Sequence, residues 1–460
     1  MRNIFACPCC LAAFVFFSVS ANAATWTVTK IADSNDGACD ADCSLREAAA
    51  ASNTDGSPST ILFAPTLNYQ TVLVNAGDIP LFGDSLTITG PGAGKLTISG
   101  GGANRLFDLA TLPILTMTGL KLTGFNGNGF SSSGFGGVFT SFGTSNITLD
   151  NIYAVSNGAS SQSGIGYFAG GVMNISNSTF SGNSTDNCGT FSFAGGTVTV
   201  KNSTFVGNSA TSVGGAFCTS SGANVTITNS TITTNTSAQG GGIIALGGSG
   251  PLTFGNTVIA ANTAGTSPEI HNSSGTVTSA GNNHIGDSAG DSTSTNFPIT
   301  YIAGDVVNVN PLLGALVNNG GMMPTRLPTA GSLLINTGNN ALATAAGLTL
   351  DQRGAARIVT TTVDKGATEF GGVAPTAAGV TIGGRVTDLN GLGISKVLVS
   401  MTDQQGSTRT AITNPFGYYR FDEVPSGATF VMSLIAKRYT FAPRIITTGD
   451  DALDLDFTAQ

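Results

Sequence analysis

Asn177-Ser178-Thr179-Phe180, Asn202-Ser203-Thr204-Phe205, Asn229-Ser230-Thr231-Ile232 and Asn256-Thr257-Val258-Ile259 recur at spacings of 25, 27 and 27 residues. Three residues after each closing apolar position stands another asparagine: Asn183, Asn208, Asn235 and Asn262. The segments in front, such as Thr197-Val-Thr-Val200 and Asn224-Val-Thr-Ile227, alternate with a period of two, as strands with one buried face do. Asn146-Ile-Thr-Leu149 before Asn151 is a fainter copy, and Leu86-Thr-Ile-Thr-Gly90 and Leu115-Thr-Met-Thr-Gly119 are degenerate ones. Two or three short strands in such a period are too few for a propeller blade, which needs four strands and about 40 residues. They fit one rung of a parallel β-helix, in which equivalent residues of successive rungs form ladders about 4.8 Å apart. The asparagines then belong in tight turns, bonded along the ladder, and glycine pairs such as Gly195-Gly196 and Gly214-Gly215 belong at corners. Nine or ten rungs would stack to about 45–50 Å.

Composition agrees. Of 460 residues 63 are Gly, 41% are hydrophobic and only 10% are charged, 18 basic against 26 acidic. A charge-laced coiled coil or helical bundle needs more charge than this, and a disordered chain needs less apolar content. What fits is an all-β chain whose surface is wetted by Ser, Thr and Asn. The net charge of −8 argues against nucleic acid or an anionic membrane as partner.

Residues 1–23 read as a secretory signal: Arg2, an apolar run from Leu11 to Val19, and Ala21-Asn22-Ala23 as the cleavage site. Pro8 and Cys9 are the wrong context for lipidation at Cys10, and no later run is long enough for a transmembrane helix. An exported chain that keeps Cys39, Cys43, Cys188 and Cys218 is expected to form two disulfides, Cys39–Cys43 in a turn and Cys188–Cys218 from rung to rung. Zinc is excluded at Cys39 and Cys43 because no His is near. Asp36, Asp40 and Asp42 read as solvated turn residues, with a weak Ca²⁺ site as the alternative; no other cofactor or metal is expected.

Catalytic material is scarce. Between residues 100 and 300 the acids are Asp108, Asp150, Asp186, Glu269, Asp287 and Asp291, and none is spaced from another so as to share a rung face. Glycosidic hydrolysis needs two carboxylates facing one bond. Elimination needs a base beside bound Ca²⁺, and the same window offers Lys121, Lys201 and Arg105. His271 and His284 lack a nucleophile partner and read as turn or surface residues. The recurrent Asn-x-Ser/Thr tripeptides fit the ladder better than glycosylation, and no catalytic residue is assigned.

Cys39-x-x-x-Cys43-Ser44-Leu45-Arg46-Glu47-Ala48, followed by Thr60-Ile-Leu-Phe-Ala-Pro65, resembles the CSLREA domain at the start of exported bacterial β-helix proteins. Ser44 can cap a short helix that covers the open first rung, with Arg46 and Glu47 in cap salt bridges. The rung motif resembles polymorphic outer-membrane-protein repeats and right-handed pectin-lyase-like β-helices. Asn310-Pro-Leu-Leu-Gly314, Asn318-Asn-Gly-Gly321, Asp351-Gln-Arg-Gly354 and Asp364-Lys-Gly-Ala-Thr-Glu-Phe370 resemble the choice-of-anchor Q tail, with Met322-Met323 as a departure. Gly383-Gly-Arg-Val-Thr-Asp388 and Thr413-Asn-Pro-Phe-Gly-Tyr-Tyr-Arg-Phe421 resemble the carboxypeptidase regulatory-like domain, a transthyretin-like β-sandwich. Asp450, Asp451, Asp454 and Asp456 cluster near its end, where alternation through Leu453-Asp-Leu-Asp-Phe457 marks Asp454 and Asp456 as the solvent face of a last strand, with a cation site as the alternative.

The expected organisation is signal 1–23, N-terminal cap 24–66, β-helix 67–300, tail 301–372, linker 373–380 and sandwich 381–460. The resemblance implies a secreted or surface protein of a bacterium. A non-enzymatic role in adhesion, with carbohydrate, extracellular matrix or surface proteins as partners, leads. A polysaccharide-active enzyme on the helix face and a passive spacer displaying the sandwich are the alternatives.

Overall fold

The structure, a computed structural model, describes residues 23–102, 104–109, 111–127, 134–291, 297–373, 380–403, 408–424, 429–448 and 452–460. The signal segment with Cys7, Cys9 and Cys10, most of the linker, Pro425 to Gly427, and Asp450 and Asp451 lie outside the described residues.

The repeats wind into a parallel β-helix. One turn runs through strands Gly171–Ser176, Thr179–Ser181, Ser184–Asn187 and Phe191–Phe193, and the next through Thr197–Lys201, Thr204–Val206, Ser209–Val213 and Phe217–Thr219. Four turns, beginning at Gly171, Thr197, Asn224 and Leu252, thus have four short strands, not two or three, whereas in the two turns before them Ile114–Thr123 and Ser145–Val155 each run through the first two positions as one strand. The one that escapes notice in the sequence is the third, because Ser209-Ala-Thr-Ser-Val213 has no apolar alternation to betray it. Pairing is parallel and in register: Val198 lies beside Met173 on one side and Val225 on the other. One sheet takes eight strands, one from each turn from Ile79–Leu81 to Ile270–Asn272. The ladder of first strands is longer, ten strands from Ala24–Val28 to Val277–Gly281, spaced ~4.8 Å apart.

Inside, Val, Ile, Leu and Phe form a continuous core. Phe180 and Phe205 stack at 4.9 Å, and Phe191, Phe193 and Phe217 extend the column. The two asparagines of each repeat have different tasks. Asn177, Asn202, Asn229 and Asn256 adopt left-handed backbone (φ 47–51°), which Asn tolerates, and turn the chain between the first and second strands. Asn183, Asn208, Asn235 and Asn262 are buried, and each accepts two bonds at Oδ1 from the backbone N–H and the amide of the Asn one rung earlier. At the corners turns press together so closely that a Cβ on Gly215 would lie 2.1 Å from the Gly241 oxygen.

The β-helix begins earlier than residue 67. Ala24–Val28 pairs parallel with Ser59–Phe63, and that strand with Ser85–Thr89, so the presumed cap already supplies helix strands. Between the first two lies helix α1, Leu45–Ser52, whose Leu45, Ala48 and Ala49 close the core's end. Its capping box is complete: Glu47 N–H donates to Ser44 Oγ, and Ser44 N–H to Glu47 Oε2 at 2.7 Å. Arg46 clamps Asp33 and two backbone carbonyls, and Lys30 reaches Glu47. At the far end the pairing continues past residue 300, with Val306–Val307 beside His284–Ile285.

Residues 310–372 run back along the outside of the second strands as a strap. Thr179 donates to the Pro324 oxygen, Thr204 to Gln352, and the Ala367 N–H donates to Thr231. Asn202, Asn229 and Asn256 are thereby buried, which takes the Asn-x-Ser/Thr tripeptides at Asn202 and Asn229 out of reach of glycosylation. The resembling tail motifs meet in one buried cluster. Asp351 holds Arg353 and accepts the Glu369 N–H, Glu369 accepts the Asp364 N–H, and Arg357 lies 3.3 Å from Glu369. Both expected disulfides form, Cys39–Cys43 and Cys188–Cys218, the latter between neighbouring turns with Cα atoms 5.2 Å apart.

The C-terminal segment is a small sandwich of a three-stranded and a four-stranded sheet. Tyr419 and Phe421 enter its core, whereas Tyr418 stays out under the Arg385 guanidinium. The last strand is only Phe457–Thr458, so Asp454 precedes it rather than forming its solvent face, and Asp456 accepts the Arg385 N–H.

Candidate functional site

One column of the second-strand ladder reads Thr97, Lys121, Tyr153, Thr179, Thr204, Thr231, Val258 in register. From Thr179 onward the strap covers it, and small β-branched residues are what a close-packed strap permits. Before Thr179 the column changes to Tyr153 and Lys121, and there Gly321 to Pro324 of the strap stand across a groove from them.

The result is a groove of about 440 Å³ between the helix wall and the strap, lined by Tyr69, Lys95, Thr97, Lys121, Tyr153 and Asn318 with Gly321 to Pro324. Met322, which looked anomalous in the sequence, forms part of its wall, its side chain lying over Gly92, whose φ of 126° favours glycine at that turn. Met323 is buried beneath, against Gln352. The Lys121 ammonium lies 5.6 Å from the centre of the Tyr153 ring and has no carboxylate in ion-pair range among the described residues. The Asn318 Oδ1 is taken by the Gly320 N–H, which leaves its amide N–H groups for the groove. Tyr69, 70% exposed at the rim, sits at φ 64°, a strained conformation for an aromatic residue, held by its N–H to the Lys95 oxygen. Such outliers cost of order 1–3 kcal/mol and gather at functional positions. The groove has rings and donors, and no carboxylate in its lining.

The acids and bases considered from sequence scatter into structural work. Asp150 ends the outer asparagine ladder, accepting from Asn151, Ser176 and Asn177. Asp108 accepts from Thr140. Asp186 lies in a separate shallow groove with Asn126, Ser160 and Thr211, and accepts from Thr211. Arg105 is wholly buried, donating to the Phe135 and Gly136 oxygens and paired with Asp78. Lys201 donates to the strap at Ala346.

One expectation needs correction: two acids that are 22 residues apart come within electrostatic reach of each other. Glu269 terminates the inner ladder by accepting the Asn262 amide at 2.5 Å, and the Asp291 charge helps to raise its carboxyl. Burial raises Glu269 to about 7, and raises Asp291, hydrogen-bonded by Tyr301, also to about 7. His271 and His284 are likewise buried rather than in surface turns, and His271 does have a hydroxyl partner: its Nδ1 is 3.0 Å from Ser267 Oγ. Burial lowers both imidazoles, and His284 Nε2 bonds the Val309 oxygen. Glu269 and Asp291 are 1% and 5% exposed, so this cluster is internal to the end of the helix. The meeting is invisible in sequence because the chain after residue 286 leaves the repeat and folds over the last turn.

Among the described residues no group of three or more His, Cys, Asp or Glu could hold a metal ion. Asp36 and Asp40 each accept a backbone N–H two residues on, and Asp42 pairs with Lys30. No helix among the described residues is long and apolar enough to cross a membrane.

Residues 118–264 match the family of the right handed beta helix region, and residues 381–460 match the carboxypeptidase regulatory-like domain. The chain carries a right-handed β-helix and a carboxypeptidase regulatory-like domain. No curated protein and no solved structure matches it. Lys121 and Tyr153 lie within the matched right-handed β-helix segment, whereas Tyr69, Lys95 and the strap lie outside it.

Proposed function

We propose that the protein is an exported binding scaffold that recognises carbohydrate or matrix glycans without cleaving them. The right-handed β-helix and the carboxypeptidase regulatory-like domain fit a surface or extracellular protein, as do the two disulfides. The groove at Tyr69, Lys121 and Tyr153 supports the finer reading: tyrosine rings present an apolar face with a polar edge, and neighbouring donors can bond sugar oxygens. A binding role rather than cleavage is favoured because the two acids that converge, Glu269 and Asp291, are enclosed and committed to structural bonds. The test is a glycan array probed with the mature chain and with Tyr153→Ala, scored for binding and for cleavage. Binding that Tyr153→Ala abolishes, with no cleavage, is the expected outcome. Cleavage would replace this reading by the enzyme, and an array silent for the wild-type chain would leave the spacer.

A further inference from the structure

The groove's donors indicate which sugars it takes, an inference that rests on the binding reading above. The chain as a whole is acidic, with a net charge of −8, yet this groove presents Lys121 and has no carboxylate in its lining. The Lys121 amine rests on the Tyr153 ring instead of pairing with an acid, so its positive charge is uncompensated at the groove. The Asn318 amide adds N–H donors from the strap side, its own oxygen being occupied. The Tyr69 ring stands exposed at the rim. A neutral sugar would leave the Lys121 charge unmatched, while an anionic one would form a charge-assisted hydrogen bond with it.

We infer that the groove binds an anionic saccharide, its carboxylate or sulfate held by Lys121 and Asn318 and its ring against Tyr153 or Tyr69. The ligand would lie across the junction of helix wall and strap, so an intact strap is part of the site. Binding should weaken with salt, since the recognising charge is near the surface.

Calorimetric titration of the full mature chain with a heparin octasaccharide, a hyaluronan octasaccharide and a neutral dextran oligosaccharide tests this. At least one anionic oligosaccharide should bind 10-fold or more tighter than dextran. Lys121→Gln should remove that preference and Lys121→Arg should keep it, with thermal unfolding of both variants unchanged. Heparin alone binding assigns sulfate, and hyaluronan binding shows that a carboxylate suffices. Equal binding of all three, or anionic binding indifferent to Lys121→Gln, overturns the inference. If dextran binds and Tyr153→Ala abolishes it, the carbohydrate reading survives that failure; if no oligosaccharide binds, both fall.

Discussion

The helix wall and the strap solve the same problem, burying backbone turns, with opposite chemistry. In the wall a neutral amide suffices. Asn183, Asn208 and Asn235 each accept two bonds from one rung and donate to the next, because an identical residue always stands one register away. In the strap nothing repeats, and its turns are held by Asp351, Arg353, Arg357, Asp364 and Glu369, all buried. Asp364 alone accepts the N–H groups of Asn336 and Phe370. Translational symmetry lets a dipole serve where an irregular segment needs full charges. The wall's ladders turn to carboxylates only where the symmetry stops, at Glu269 for the inner ladder and Asp150 for the outer.

This contrast can be broken most severely at Asp351. Asp351→Ala removes the acceptor of the Arg353 side chain and of the Arg353, Ala355 and Glu369 N–H groups. A buried guanidinium left unpaired costs about 3–5 kcal/mol. Hydrogen exchange should accelerate across residues 310–372 and far less at the Phe180 to Phe217 turns; equal acceleration in both would mean that strap and wall unfold as one unit. Asn208→Leu comes next, since it strands the N–H and amide of Asn183, at about 2–4 kcal/mol from two unsatisfied buried donors. Urea unfolding should show that loss, and a loss below 0.5 kcal/mol would mean that the ladder is dispensable.

The smallest effect concerns the point where ladder meets charge. Glu269 and Asp291 are held at about 7 in the folded chain, above their ordinary unfolded values of about 4. The folded state therefore binds extra protons, so stability falls as pH rises from about 4 through 7 and levels off above. Exchange over residues 269–291 and 297–309, corrected for intrinsic rates, should be faster at pH 8.5 than at pH 5.5, and Glu269→Gln should flatten the dependence. No dependence between these pH values would show both carboxylates already ionised in the folded state.

Legibility followed repetition. The period, the Asn positions, the corner glycines, the Ser44 helix cap and both disulfides could be read from residues, since each follows from local pattern or from rung spacing. The third strand of each turn was hidden by its polar composition. The strap's course was not legible either: motifs as separate as Asp351-Gln352-Arg353 and Asp364 to Phe370 gave no sign of packing on Thr179, Thr204 and Thr231. The column did hold one clue, the change from threonine to Tyr153 and Lys121, which acquires meaning only once something is known to cover the threonines.

Sequence alone determined that this chain is a β-helix with a terminal sandwich and little charge, because a short period of buried and exposed residues admits few folds. The tertiary structure decided where a ligand could rest and which charges are enclosed. Those depend on contacts such as Gln352 with Thr179, 173 residues apart. No local pattern encodes a non-repeating segment's path across a repeating wall, since the wall offers many equivalent rungs and only side-chain packing selects among them.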